Sequence, residues 1–332
     1  MPAGRQALLE KLSFVVPVYN SENTVGLVAD RIAAMVEALQ TPYDYEVILI
    51  NDGSSDGSYA VCRETAKKNA HVTALDFSRN FGQANAIMAG FRKVKGDYVV
   101  CLDDDLQTPP EEVPLLLDKL IDGGFDLVYG HYAHKKHSFF RNFGSRVNAF
   151  MQTTMLDKPK SIATSSFFIA RRFVVDEVAR YDKPFPYIPG LCLQVTRNVG
   201  NVVVRHDPRT VGRSGYTFRK LMRLWLNGFT NFSVKPLRWA TVLGTLFAFA
   251  ALILMAVVFI RSLVGPSSVA GWSSTIISVL FLGGVQLLSI GLLGEYIGRI
   301  YLSINKTPQY VVKDSVNGTE DGQDGEGTGG AR

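Results

Sequence analysis

Cysteine is scarce in this chain of 332 residues: Cys62, Cys101 and Cys192 are the three, and they have no metal-type spacing. They read as reduced thiols facing a reducing compartment. The five histidines form no ligand set, and His131, His134 and His137 read as a surface stripe. There is no glycine-rich loop ending in Lys-Ser/Thr and no GxGxxG turn, which excludes the usual protein cradles for a diphosphate. No internal repeat is visible. The opening MPAGRQALLEKL is short and polar, so no signal peptide is expected.

Charge is missing from two long stretches. Residues 240–260 and 272–294 carry none, and each is long enough to cross a bilayer as a helix. Arg219, Lys220, Arg223, Lys235 and Arg238 precede the pair, and Arg299, Lys306 and Lys313 follow it. The positive-inside rule puts both flanks, and with them the N-terminal domain and both termini, in the cytoplasm of a multi-pass inner-membrane protein. The net charge of +5 is then explained by anionic headgroups, and nucleic acid is not needed as a partner.

What is present over residues 12–130 is a regular alternation of strand and helix patterns. LSFVVPVY, YEVILIND, VTALDFS, DYVVCLDDD and FDLVYG read as strands, with helical patterns between them. Repeated βαβ units imply a parallel sheet with helices on both faces. Ligands of such sheets bind beyond the carboxyl ends of the strands. SSFFIAR reads as one further strand, FRKLMRLWLNGFTNFSVKPLRW suits interfacial helices, and the Gly-rich acidic tail is expected to be disordered. The expected organisation is a cytoplasmic α/β domain over 1–215, interfacial amphipathic helices over 216–238, two transmembrane helices over 239–295, a cytoplasmic segment over 296–313 and a disordered tail over 314–332.

The polar residues fall at the strand ends. Asp52 precedes Gly53, and two readings stand: a turn that caps the next helix, or a carboxylate that accepts a base N–H. The fourth strand ends in Asp103, Asp104 and Asp105, followed by Gln107. Two such charges about 4 Å apart repel by roughly 4 kcal/mol at an effective dielectric near 20. The triplet therefore needs water, neighbouring cations or a metal. Oxygen donors suit a hard ion, Mg²⁺ or Mn²⁺, with positions open for phosphate. A solvated acidic turn is the other reading.

VVPVYN, ILINDGSSDGS, DFSRNFGQANAIMAG, CLDDDLQTPPE and GLLGEYIGRIY, in that order and spacing, resemble the family 2 glycosyltransferases of GT-A fold. Within that family they are most similar to the polyprenyl-phosphate glycosyltransferases, over about residues 12–313. The resemblance implies a Rossmann-like, mixed and mostly parallel sheet, followed by the interfacial and two transmembrane helices. It implies transfer of a sugar from a nucleotide-diphosphate sugar, UDP-sugar favoured, to a polyprenyl phosphate such as undecaprenyl phosphate, with inversion, and a homo-oligomer, a tetramer in relatives. Pro17, Tyr19, Glu22, Asp52, Arg79, Asp103 and Asp104 would hold the nucleotide, although Arg79 also suits a structural salt bridge. Asp103, Asp105 and Gln107 would hold the metal, and Arg141, Arg205 and Arg209 the acceptor phosphate. Asp103, Asp105, Arg209 and Arg213 would carry the chemistry.

The chain departs from the pattern in places. Ser21 stands where the family often has Glu, and Glu22 follows it. The late Ser-Lys becomes Ser214-Gly215, and Arg213 is the substitute expected for the missing Lys. An Asp of the glucosyl-type enzymes falls near Ser165 and Ser166 here. A processive polysaccharide synthase is disfavoured, because Arg238-Trp239 lacks the Gln of the QxxRW motif. A non-catalytic membrane scaffold or flippase partner is disfavoured by the intact Asp103, Asp105 and Gln107 set.

Overall fold

The computed structural model describes residues 9–132, 162–184, 186–207, a scatter of positions between 242 and 260, 272–305 and 308–318. At its centre lies β1 (Lys11–Val18), buried at every position after the first. β2 (Asp44–Asn51) and then β3 (Val72–Phe77) extend the sheet in parallel on one side, and β4 (Tyr98–Cys101) pairs in parallel on the other. The connections are α1 (Val25–Glu37), α2 (Ser58–Lys68) and α3 (Gln83–Phe91). A 3-10 turn at Pro110–Glu112 then enters α4 (Val113–Asp122), and β5 (Leu127–Tyr132) follows. Next come β6 (Phe168–Arg171), α5 (Arg172–Ala179), α6 (Ile188–Val195) and β7 (Val199–Val204). A long helix, α7 (Trp272–Ile304), and a last strand, β8 (Val312–Val316), complete the described chain.

The eight strands run in the order β7-β5-β6-β4-β1-β2-β3-β8. β6 is antiparallel to both β4 and β5, and β8 is antiparallel to β3, so the sheet is mixed. Apolar layers cover both faces, as near-continuous hydrophobic strands require. Phe14, Val16 and Val18 of β1 join a cluster with Val28 and Ile32 of α1 and Leu116 and Leu120 of α4. Val15, on the opposite face, joins Ile48, Ile50, Ile87, Phe91 and Val174. α1 buries Val25, Val28, Ala29, Ile32, Met35 and Val36, a stripe at helical spacing. Each fully buried aliphatic side chain contributes about 1.5–3 kcal/mol.

β1 has β2 on one side and β4 on the other, so the strand order reverses between β1 and β4 and opens a crevice at their carboxyl ends. Pro17 helps to open it. The β1–β4 register runs only from Leu12 to Val15, and the next bond is Leu102 N–H to the Val15 carbonyl at 3.3 Å. Alternation aims the backbone of residue 17 at the same neighbour, where Pro17 has no N–H to donate.

The C-terminal region differs from expectation. The charge-free stretch ends at Gly294, and α7 continues past it through Glu295 to Ile304. At 33 residues it is about 50 Å long, more than the ~30 Å hydrocarbon layer needs. Among the described residues it is the one helix long and apolar enough to cross a membrane, and its apolar window Phe281–Gly298 is not buried in the protein. The described positions of the first expected span, such as Val242, Leu246, Ile253 and Ile260, are helical and exposed. The tail expected to be disordered from residue 314 instead begins as strand, with Asp314 to Val316 in β8. Residues 216–238 lie outside the described residues, as do Arg141, Arg209 and Arg213.

Candidate active site

The carboxyl ends of β1 to β4 gather most of the sequence-predicted residues into one connected network. Asp52 follows β2, and its two carboxylate oxygens accept the N–H groups of Phe81 at 2.7 Å and Gly82 at 2.9 Å. The Asn80 side chain donates to the Asp52 carbonyl at 3.2 Å. Gly53 has φ +61°, and a Cβ there would come within 2.3 Å of the Arg79 carbonyl carbon. Only glycine lets the two loops approach so closely. Asp52 therefore fixes the Ser78–Gly82 loop, and burial pushes its carboxyl up to about 6 against the two N–H donors. Asp52 does not cap the next helix: α2 begins at Ser58 with no side-chain cap, and both Asp52 oxygens go to the loop before α3.

Gln83 opens α3 directly after Gly82, and its Nε2 donates to Asp103 Oδ1 at 2.7 Å. Ser166 Oγ donates to the other oxygen, Oδ2, at 2.6 Å. Asp104 turns the other way: its Oδ2 accepts the Tyr19 N–H at 3.0 Å, and Ser21, whose hydroxyl donates to the Tyr19 carbonyl at 3.2 Å, lies beside its carboxylate. Burial raises its carboxyl to about 6; Ser21 and Tyr19 oppose the rise, and Asp103 and Asp105 add to it. Asp105 Oδ1 accepts the Gln107 N–H at 3.1 Å. Between them Leu106 has φ +58°, a conformation that costs a bulky residue of order 1–3 kcal/mol, and its side chain packs against the core. The triplet is thus no freely solvated turn. Its three carboxylates serve three directions, and among the described residues no three His, Cys, Asp or Glu side chains converge on one point.

The other predicted residues divide. Tyr19 is exposed at the crevice, and Pro17 sits beneath it. Arg79 lays its guanidinium over the Phe81 ring, 4.4 Å from the centroid. Glu22 is spent on the turn before α2, where it accepts the Gly57 N–H at 2.8 Å. Arg205 pairs with Asp207 at 3.3 Å, and the Asp207 N–H donates to the Gln107 carbonyl at 2.8 Å, which brings Arg205 to the Gln107 side of the network. Ser165 spends its hydroxyl on the Phe167 carbonyl at 2.7 Å.

Sequence reasoning missed Gln83 and Ser21 as partners of the acidic triplet. Gln83 lies inside DFSRNFGQANAIMAG, and its place at a strand–helix junction is the available signal. Ser21 stands out only as a departure from pattern. Asn20, at φ +53°, reads from sequence only as a strand-end residue; its Oδ1 accepts the Ser55 N–H at 2.9 Å and ties the first loop to the second.

An open α/β sheet with a reversal in strand order, and a carboxylate cluster at that reversal, is the arrangement of a GT-A-like fold. A solved structure bears on the fold: glucosyl-3-phosphoglycerate synthase from Mycobacterium tuberculosis covers 67% of this chain and 80% of its own, with a TM-score of 0.50 at 18% identity. The model of glycosyl transferase family 2 matches residues 13–179, and that of the GtrB C-terminal hairpin matches residues 235–300. The undecaprenyl-phosphate 4-deoxy-4-formamido-L-arabinose transferase of Yersinia enterocolitica is 35% identical over 95% of this chain and 97% of its own. An uncharacterized glycosyltransferase of Bacillus subtilis, YkcC, is 35% identical over 91% of this chain. The chain belongs to glycosyl transferase family 2 and is a glycosyltransferase.

Proposed function

We propose that the enzyme transfers a sugar from a nucleotide-diphosphate sugar, a UDP-sugar favoured, to undecaprenyl phosphate or another polyprenyl phosphate at the cytoplasmic face of the membrane. One observation carries this reading. The relative named as an undecaprenyl-phosphate transferase matches along 95% of the chain, hairpin included, and not over the sheet domain alone.

In this reading the crevice between β1 and β4 takes the nucleotide. Tyr19 and Pro17 line it, Asp104 and Asp52 hold its two loops in place, and Arg79 stands at its rim. The donor set of Asp103, Asp105 and Gln107 is oxygen only, which fits a hard ion. Two carboxylates and an amide leave room for diphosphate oxygens, as Mg²⁺ and Mn²⁺ sites commonly do. Such an ion supplies neutralisation of the charge that develops on the departing diphosphate. Gln83 and Ser166 orient Asp103, and the Leu106 turn aims Asp105.

The acceptor is a phosphate, ionised near neutral pH, so no side chain need remove a proton from it. Positioning and charge neutralisation carry the step. Arg141, Arg205, Arg209 and Arg213 supply the positive charge for that phosphate, Arg205 through its place beside Asp207 and Gln107. Attack from the face opposite the diphosphate inverts the anomeric centre. Two membrane helices over 239–295 hold the domain at the lipid surface, in a tetramer as in the resembling family.

The test is a screen of UDP-hexoses and UDP-aminopentoses against purified enzyme in bilayers containing a short polyprenyl phosphate, read by mass spectrometry. Metal-dependent appearance of one polyprenyl-phosphate sugar is expected. Turnover of donor with no lipid product under any pairing would refute the acceptor.

A further inference from the structure

The segment that follows the membrane helix does more than end the chain. Gln309 is buried, and its side chain donates to the Tyr181 carbonyl at 3.0 Å and the Lys183 carbonyl at 2.6 Å. It also accepts Arg92 Nη2 at 2.8 Å, and the Arg92 guanidinium lies over the Tyr310 ring at 5.3 Å. Tyr310 is thereby held against the sheet domain. Its ring stacks on Phe77, with centroids 5.1 Å apart and an interplanar angle of 8°. Phe77 meets Phe81 edge-on at 5.7 Å and 90°, and Phe81 carries the Arg79 guanidinium. The backbone runs in parallel with this stack, because the Val311 carbonyl accepts the Ser78 N–H at 3.0 Å. The loop that bears Arg79 is thus gripped from one side by Asp52 and from the other by the post-membrane segment.

We propose that Tyr310 is a positioning residue for the nucleotide end of the active site, acting on Arg79 through Phe77 and Phe81. The inference rests on the assignment of Arg79 to the nucleotide rim. An aromatic pair is worth about 0.5–1.5 kcal/mol beyond its buried area. A ring lost at one end of the stack loosens Arg79 without touching the acceptor.

The experiment uses the full chain in detergent or bilayer, with UDP as the probe in calorimetric titration and steady-state transfer alongside. Tyr310→Leu is expected to raise the UDP Kd and the donor KM about 3- to 10-fold, the size of one aromatic contact, with the acceptor KM unchanged. Tyr310→Phe, which keeps the ring, restores both. Arg79→Met is expected to weaken UDP at least as much, and Tyr310→Leu should add nothing further in that background. A folded Tyr310→Leu enzyme with wild-type UDP affinity would overturn the proposal, as would additive effects in the double variant. If Tyr310→Leu does not fold, the same comparison is made with Tyr310→Met, which keeps an apolar side chain against Phe77 and loses the ring. If Arg79→Met leaves the UDP Kd unchanged, the assignment of Arg79 fails first, and this inference falls with it.

Discussion

Asp104→Asn should make the enzyme more stable near neutral pH. Burial raises the Asp104 carboxyl from 3.8 to about 6. A carboxyl raised in the folded state costs stability above its folded pKa, and that cost disappears as the pH falls below the unfolded value. A rise of about two units at 1.36 kcal/mol each gives about 3 kcal/mol as the upper bound, and about 1–2 kcal/mol with partial access of water. Asparagine keeps the shape and an oxygen for the Tyr19 N–H, and the Ser21 hydroxyl can turn to accept from the new amide. The gain should therefore survive the substitution. In a sheet domain of this size it amounts to about 2–8 °C in Tm. Thermal unfolding of the full chain in detergent, followed by intrinsic fluorescence at about pH 7.5 and about pH 4.5, reads it: the advantage of the variant should be largest at the higher pH and shrink towards zero at the lower. Asp52→Asn is the control. Asp52 has the same raised carboxyl, but both of its oxygens accept backbone N–H groups, so an amide must set a donor against a donor. That leaves a buried N–H unpaired, at about 1–3 kcal/mol, and offsets the relief of charge. An Asp104→Asn enzyme that is destabilised equally at both pH values would refute the reasoning.

Asp105→Ala should lose nearly all transfer, whereas Ser165→Ala should retain substantial activity, since its hydroxyl is already committed to the Phe167 carbonyl; a folded but inactive Ser165→Ala enzyme, in a lipid-product assay, would reverse that division. Removing divalent ions with a chelator should abolish transfer, and Mn²⁺ or Mg²⁺ titrated with UDP should bind the wild type and fail to bind Asp103→Ala, as calorimetry would record. Gly53→Ala should cost several kcal/mol, because its Cβ would meet the Arg79 backbone at 2.3 Å at a φ of +61°; a Tm equal to wild type would count against the close approach of the two loops.

Much of the sheet and part of the site could be read from the chain because the two signals coincide. Near-continuous apolar runs ended at charged residues, and in a parallel sheet those ends share one edge, so Asp52 and the Asp103–Asp105 triplet had to fall at the same edge. Which atom each carboxylate addresses could not be read, because it depends on φ values such as that of Leu106 and on partners up to 85 residues distant, such as Tyr19 for Asp104. Glu22 shows the same limit: the family resemblance implies a place for it at the nucleotide, whereas in the folded loop its carboxylate accepts the Gly57 N–H.

The strand β8 was illegible for a different reason. Tyr310-Val311-Val312 is a short apolar run between a long apolar helix and a Gly-rich acidic tail, and Lys313, Asp314 and Ser315 give the rest of the strand the composition of a solvated loop. An edge strand needs no apolar face of its own when its partners supply the pairing. Here Asp314 accepts the Tyr59 hydroxyl at 2.7 Å, Lys313 lies 3.9 Å from the buried Asp76, and Asn317 donates to the carbonyls of Ala66 and Val72 at 2.6 and 2.9 Å. Polar residues that resemble a tail in sequence are thus the ones that fasten it. Because β8 sits on β3, and β3 ends in the loop that Asp52 grips, only seven residues of chain, 305–311, separate the end of α7 from the strand that borders that loop.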